Sequence, residues 1–341
     1  MKLVMKKTIK KAIQIIIFFS VGIGIFWLVY RKQDMTVLKN ALLHADYFWI
    51  YVSLFLGILS HISRAMRWNL LIYPLGYKPK VINSFFSVMI MYLSNMAIPR
   101  SGEIVRCGVL GKTENIPVSK LLGTVFTERI IDFILLFILL AIVLMTQMHV
   151  VLEMLEKNPE INSNLNNLLS STPILAGIFV LFIVLLFVLY RFKHKIQHFK
   201  IYQKLRDLIK GFAAGIKSIL KMERRFEFIA HSVFIWVMYF MMIYIVFKSF
   251  HFTENLSLLS GLTVFVMSAF GMVAPSPGGI GTWHFMVIQT LMIYGVTKSD
   301  AGAFAFASHE SMTIMMIIVG VLSIILLPIV NKKFQKVLSK D

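Results

Sequence analysis

Nine apolar stretches alternate with polar connections along this chain: 12–30, 47–63, 82–98, 121–146, 173–190, 228–249, 256–274, 283–296 and 303–328. Most come close to the roughly 20 residues that an α-helix needs to cross a hydrocarbon core of about 30 Å. The stretch 283–296 does not. Its 14 residues make about 21 Å of helix at a rise of about 1.5 Å per residue. Two of the interruptions are irregular and carry chemistry. One is Pro99-Arg100-Ser101-Gly102-Glu103-Ile104-Val105-Arg106, and the other is Ala274-Pro275-Ser276-Pro277-Gly278-Gly279-Ile280-Gly281-Thr282-Trp283. Irregular backbone at membrane depth leaves N–H and C=O groups without water, and it survives only where protein or a wet cavity satisfies them. Paired breaks of this kind are the mark of a transport site in secondary transporters.

The charges of the connections orient the pattern. Connection 191–227 holds eleven Lys or Arg residues, which places it in the cytoplasm. Connection 147–172 carries Glu153, Glu156 and Glu160 against Lys157 and belongs outside. The lysine-rich start and the tail with Lys332, Lys333, Lys336 and Lys340 both read as inside. Counting crossings then requires the chain to turn back before 147–172, and a hairpin over 82–113, entered from the cytoplasm, is the simplest solution. Stretches 256–274 and 283–296 pair as a second hairpin, entered from outside. The expected fold is all-α and polytopic: about six spanning helices plus two re-entrant or broken-helix hairpins. They form inverted halves, 10–146 and 173–328, joined by the outside loop 147–172, within a single transmembrane domain 1–341. Such inverted repeats place a site at their interface and imply alternating access. Within the basic linker 191–227, Ile201, Leu205, Leu208, Phe212, Ile216 and Ile219 recur at helical spacing among lysines. That is an amphipathic helix suited to the cytoplasmic leaflet.

Composition narrows the function. Hydrophobic residues make up 58% of the 341 positions and charged residues only 15%, a polytopic membrane profile with no stretch that reads as a soluble domain. The net charge of +19 raises nucleic acid as a partner. The basic residues, however, flank apolar helices, where anionic lipid headgroups explain them better. Cys107 is the single cysteine, so neither an intramolecular disulfide nor a cysteine-only metal cage is available. The stretch 12–30 follows five lysines as a signal peptide would. It ends in Leu-Val-Tyr-Arg-Lys without a small-residue cleavage site and is read as a retained helix.

Charges inside apolar stretches mark candidate sites. Glu128, Arg129 and Asp132 lie inside 121–146, where each costs on the order of 2.5–3.5 kcal/mol at a helix centre. Glu128 and Asp132, four apart, form one polar stripe with Thr124, and Arg129 can pair with Asp132. The trio reads either as a structural ion pair between helices or as the wall of a headgroup cavity. Arg100, Glu103 and Arg106 follow the first break. Arginine's planar fork matches phosphate oxygens, so a lipid phosphate is the expected ligand, with snorkelling anchors as the alternative. Arg64, Arg67 and Trp68 close stretch 47–63 and read chiefly as interfacial anchors. At the second break Pro277, Gly278, Gly279 and Gly281 free the backbone, and Thr282 is placed to cap a helix whose exposed N–H groups would hold an anion. A tight turn for close helix packing is the alternative. His284, His309 and Glu310 add titratable groups. His309-Glu310 begins a zinc-protease pattern, but Thr313 stands where the second histidine belongs. No metal–nucleotide, ATP-binding or catalytic motif appears, so no metal, cofactor or catalytic residue is assigned.

These motifs together resemble the lysylphosphatidylglycerol synthase transmembrane-region family, the flippase-like module of bacterial aminoacyl-lipid synthases. The likeness rests on Arg64-x-x-Arg67-Trp68, Pro99-Arg100-x-Gly102-Glu103-x-x-Arg106, Glu128-Arg129-x-x-Asp132 and Ala274-Pro275-x-Pro277-Gly278-Gly279-x-Gly281, and spans about residues 10–330. It implies lipid handling without the aminoacyl-transfer activity, which resides in a separate soluble domain. Two departures stand out. The family often has a glutamate shortly after the Pro-Gly-Gly turn, where this chain has Trp283-His284, and many members carry an arginine in the last helix, where it has His309-Glu310. The expectation is a non-enzymatic flippase or scramblase of the bacterial inner membrane with both termini cytoplasmic. It would bind anionic or aminoacylated phospholipids, with a separate lipid-modifying enzyme as a possible partner. The rival expectations are a membrane-embedded transferase acting on a lipid-linked sugar or aminoacyl lipid, and a proton-coupled solute transporter.

Overall fold

The computed structural model describes residues 24–331 apart from 25, 29, 32–34, 99, 157–221 and 275, and only the backbone of 149–156. Most of the expected span 12–30, the whole of 173–190 and nearly all of the basic linker lie outside the described residues. Every described element is helical: α1 (Met35–Leu43), α2 (Tyr47–Ile72), α3 (Val81–Ala97), α4 (Gly102–Glu114), α5 (Val118–Glu156), α6 (Arg225–Val246), α7 (Leu258–Val273), α8 (Thr282–Ile293) and α9 (Lys298–Val330). The chain divides into two compact units, residues 1–143 with 222–341, and residues 144–221. Of the second unit only the last part of α5 is described; its backbone leaves helical geometry at Gln147 (φ −127°, ψ 23°).

Among the described residues, four segments are long and apolar enough to cross a membrane: Tyr47–Leu75, Val118–Met148, Arg225–Ser249 and Lys298–Val330. The chain is an all-α membrane protein. Helix starts follow local chemistry. Asp46 accepts from Phe48 N, Ser257 from Ser260 N and Thr297 from Asp300 N, at 3.0, 3.1 and 3.2 Å, satisfying amides that no helical carbonyl can reach. Asn115 ends α4 in the left-handed conformation (φ 57°), which asparagine tolerates better than most residues. Helix α2 runs well past the apolar stretch ending at residue 63. Its polar residues there are buried and partnered: Asn69 donates to Pro79 O at 3.1 Å and accepts from Ser84 Oγ at 2.5 Å.

Both expected hairpins are present. Helices α3 and α4 pack on each other, as do α7 and α8, and α9 packs along α3 and α8. Each hairpin closes on a glycine. A Cβ at Gly102 would strike the carbonyl oxygen of Met91, and one at Gly271 would lie 2.8 Å from Thr282 O and 2.8 Å from Trp283 Cα. The hairpin tips meet: the 277–279 turn packs against α3, and the Arg100 guanidinium donates to Val273 O at 3.0 Å. Helices α2 and α6 pack closely beside them, with Ser53 Oγ donating to Met242 O at 2.8 Å.

Gly271→Ala is expected to destabilise the protein by about 1–3 kcal/mol, because the methyl meets backbone that cannot rotate away. Gly108→Ala in α4, where nothing lies within 4 Å of the new Cβ, should be neutral or stabilise by up to about 1 kcal/mol through helix propensity. Thermal unfolding of the purified variants in detergent distinguishes the two; equal midpoints would contradict the close packing of α7 on α8.

Candidate functional site

A polar face of α2 recurs at helical spacing: Ser60, His61, Arg64, Arg67 and Trp68. It meets Glu128 and Asp132, one turn apart on α5 and therefore on one face. The Arg67 guanidinium bridges them, donating through Nη1 to Asp132 Oδ1 at 2.8 Å and through Nη2 to Glu128 Oε1 at 3.0 Å. Arg106 on α4 donates to Glu128 Oε2 at 2.9 Å, and its guanidinium lies over the Trp68 ring, 4.6 Å from the centroid. Trp68 is held in turn by its Nε1–H donating to Thr124 Oγ1 at 2.8 Å. Arg64 donates to Asp132 Oδ2 at 3.4 Å and to the Tyr92 hydroxyl at 2.9 Å. Tyr92 of α3 shares a 3.1 Å hydrogen bond with Tyr239 of α6. Arg129 lies 3.5 Å from Glu128 and 3.7 Å from Asp132.

Arg67, Arg106 and Glu128 have no exposed side-chain surface, whereas Arg129 is 40% exposed. The expectation that Arg64, Arg67 and Trp68 are interfacial anchors is therefore overturned. All three are buried, because the carboxylates of α5 and the ring of Trp68 itself solvate the guanidinium groups better than headgroups would.

The charge count does not balance. Among the described residues, four guanidinium groups face two carboxylates, leaving two positive charges in excess. Arg64 Nε, Arg67 Nε, Arg129 Nε, and both Nε and Nη1 of Arg106 are buried with no hydrogen-bond partner among the described residues. An uncompensated charge out of water costs several kcal/mol even after relaxation, and an unmet N–H adds about 1–3 kcal/mol. Chemically, the cluster presents forked donors, excess positive charge, and aromatic walls from Trp68, Tyr92 and Tyr239, the features that an anion requires.

The remaining candidates fall elsewhere. Glu103, on α4, makes no hydrogen bond or ion pair with a described residue. Arg100 sits at the hairpin tip in the left-handed region (φ 62°). Pro277, Gly278, Gly279 and Gly281 form the second turn, the three glycines at positive φ. Helix α8 begins at Thr282 with Gly281 in the capping position, so Thr282 does not cap it as expected. Its hydroxyl donates instead to Gly271 O at 2.8 Å and pairs with Ser276 Oγ at 2.8 Å, tying the turn to α7. His309 faces Gly278 O at 3.0 Å, and Glu310 lies 3.3 Å from His309 and 3.6 Å from His284. No hydrogen bond or ion pair among the described residues joins this group to the arginine cluster. On α6, Trp236 Nε1 donates to Asp132 Oδ1 at 3.5 Å and Ser232 Oγ accepts from Arg67 Nη1 at 3.3 Å; the sequence flags neither of these two, nor Tyr92 and Tyr239. Their aromatic and hydroxyl side chains sit in apolar runs without any charge to flag them, whereas the spacing of Ser60 and His61 ahead of Arg64 was a readable extension of the stripe.

The family model for the lysylphosphatidylglycerol synthase TM region matches residues 12–320. The chain belongs to this lysylphosphatidylglycerol synthase transmembrane-region family. No curated protein and no solved structure matches it. The family assignment makes this a membrane lipid-related protein, and it spans the arginine cluster, both hairpin turns and the His309-Glu310 pair.

Glu128 is the hub on which four arginines of this family member converge. Glu128→Gln is expected to cost about 3–5 kcal/mol, the usual result of removing one partner from a buried pair. Arg129→Ala, at the open edge, should cost about 1 kcal/mol or less. Thermal midpoints in detergent test the order; a Glu128→Gln protein as stable as wild type would mean the cluster is not held by ion pairing.

Proposed function

We propose that this protein is a lipid transporter, a flippase or scramblase, that receives a lipid's phosphate headgroup at the buried arginine cluster while the acyl chains stay in the bilayer. The observation that carries this reading is the excess of two positive charges in that cluster, with Nε and Nη1 of Arg106 buried and unpartnered among the described residues. A phosphodiester supplies one negative charge and acceptor oxygens in a plane that a guanidinium fork matches. Family membership supports lipid handling.

In this mechanism Arg106 takes the phosphate through its free Nη1 and Nε while Nη2 stays on Glu128. Arg67, locked across Glu128 and Asp132, holds the carboxylates in place, and Arg129 marks the side from which the headgroup arrives. The two hairpins, meeting at Arg100 and Val273, belong to inverted halves whose rocking exposes the cluster to one leaflet and then the other. The protein would act without catalysing a covalent step, in a bacterial inner membrane with both termini in the cytoplasm.

The test uses proteoliposomes of phosphatidylethanolamine and phosphatidylglycerol carrying tail-labelled fluorescent phosphatidylglycerol, with an impermeant reductant as the reporter. Wild-type protein should bleach the inner-leaflet label faster than empty liposomes do. Arg106→Ala should slow this by at least about tenfold, equivalent to about 1.4 kcal/mol, while melting as a folded protein. Arg106→Lys, which keeps the charge and loses the fork, should fall between. Unchanged bleaching with Arg106→Ala, or none with folded wild-type protein, would overturn the proposal.

A further inference from the structure

The second hairpin turn carries a separate constellation that the lipid site does not use. His284 stands in the first turn of α8, and His309 and Glu310 lie within α9. Both histidines are buried. We propose that His284, His309 and Glu310 form a binding site for a divalent transition-metal ion of the zinc class, which clamps the second hairpin turn to α9.

Three observations converge. First, candidate ligand atoms of the three residues all lie within 4.8 Å of one another. Glu310 Oε1 is 3.3 Å from His309 Nδ1 and 3.6 Å from His284 Nε2. A tetrahedral zinc with bonds of about 2.0–2.1 Å to nitrogen and oxygen spaces its ligand atoms about 3.3–3.4 Å apart. Second, the His309 ring has a settled tautomer. Its Nε2 faces the carbonyl of Gly278 at 3.0 Å and must donate there. In the neutral ring Nδ1 is then a lone pair that only the Thr313 hydroxyl, at 3.5 Å, approaches as a donor among the described residues, and it faces a carboxylate oxygen, two acceptors at 3.3 Å. A cation between them removes the conflict, and a ring N–H anchored on a backbone carbonyl is the usual outer partner of a metal-bound histidine. Third, His284 Nε2 is fully buried with no hydrogen-bond partner among the described residues, and it faces the same carboxylate at 3.6 Å. Its other nitrogen accepts from Gly281 N at 3.4 Å. Binding metal at Nε2 moves the ring proton to Nδ1, so this long contact is exchanged for a coordinate bond.

The surroundings fit a protein-held ion. Phe26 and Tyr30 lay ring edges against His284, at centroid distances of 5.4 and 5.6 Å. The Tyr30 hydroxyl is engaged on Gly302 O at 3.1 Å and does not compete. Glu310 is the partly exposed ligand, leaving the fourth coordination position open on its side. Through Gly278, the ion would fix the turn that packs against α3.

The experiment purifies the full chain on a histidine-free tag, strips it with chelator, and adds zinc or cobalt at neutral pH. The wild-type protein should retain about one ion per chain after desalting, as a preformed three-ligand site does. It should show the visible absorption of tetrahedral cobalt and unfold at a higher temperature with zinc. Glu310→Gln, nearly isosteric, and the double variant His284→Ala/His309→Ala should lose metal retention and the zinc-induced shift. If the double variant does not fold, Glu310→Gln alone decides. A folded wild type that retains no metal overturns the proposal, whether or not its stability responds to pH; a pH response in that case would assign the gap between His309 and Glu310 to a proton. Metal retained equally by all variants overturns it as well.

Discussion

Charge cannot be left alone out of water, and the core of this protein is arranged around that rule. Glu128 is touched by Arg64 and Arg67 from α2, Arg106 from α4 and Arg129 from its own helix. Each of these groups would be expensive by itself in a low-dielectric interior. Together they fix three helices in register, and Tyr92 and Tyr239 extend the network to α3 and α6. Because the carboxylates are outnumbered, the network holds the helices and still leaves donors unspent. Stability and the proposed binding capacity therefore rest on the same cluster.

The two hairpins obey the companion rule for backbone. Irregular chain away from water needs side chains to stand in for solvent, and both turns have them. Around the first, Asn95 Oδ1 accepts from Gly102 N at 2.7 Å, and Ser101 bonds Ser94 and Ile98. Around the second, Thr282 bonds Gly271 and Ser276, and His309 takes Gly278 O. Glycines at the crossing points let the paired helices approach until backbone meets backbone. The Arg100 guanidinium on Val273 O then joins one tip to the other, so a displacement of either hairpin is felt at both.

The two polar groups differ in sign. The cluster of α2, α4 and α5 is rich in cationic donors and suits a phosphate; the group at the second turn is rich in acceptors and suits a cation. The match to the lysylphosphatidylglycerol synthase transmembrane-region family covers both regions.

Much of this was legible in one dimension. Hydropathy located α3, α7 and α8, and counting crossings between charged connections folded 82–113, which holds nearly all of α4, back as a hairpin, since apolar length, charge and a Pro/Gly break are local properties. The spacing of Glu128 and Asp132 put both carboxylates on one face for the same reason, since helical periodicity relates positions within one segment. What no segment reveals is what another segment brings opposite to it. Arg64, Arg67 and Trp68 read as surface anchors because their partners are some 60 residues away on α5. The motif at His309-Glu310 was compared with Thr313 along one helix, whereas the histidine that stands beside Glu310 in space comes from α8, 25 positions before His309 at His284. Within a helix, local periodicity decided which residues share a face; only long-range packing decided which faces meet, because that choice depends on how all the helices together exclude lipid and water from their charges.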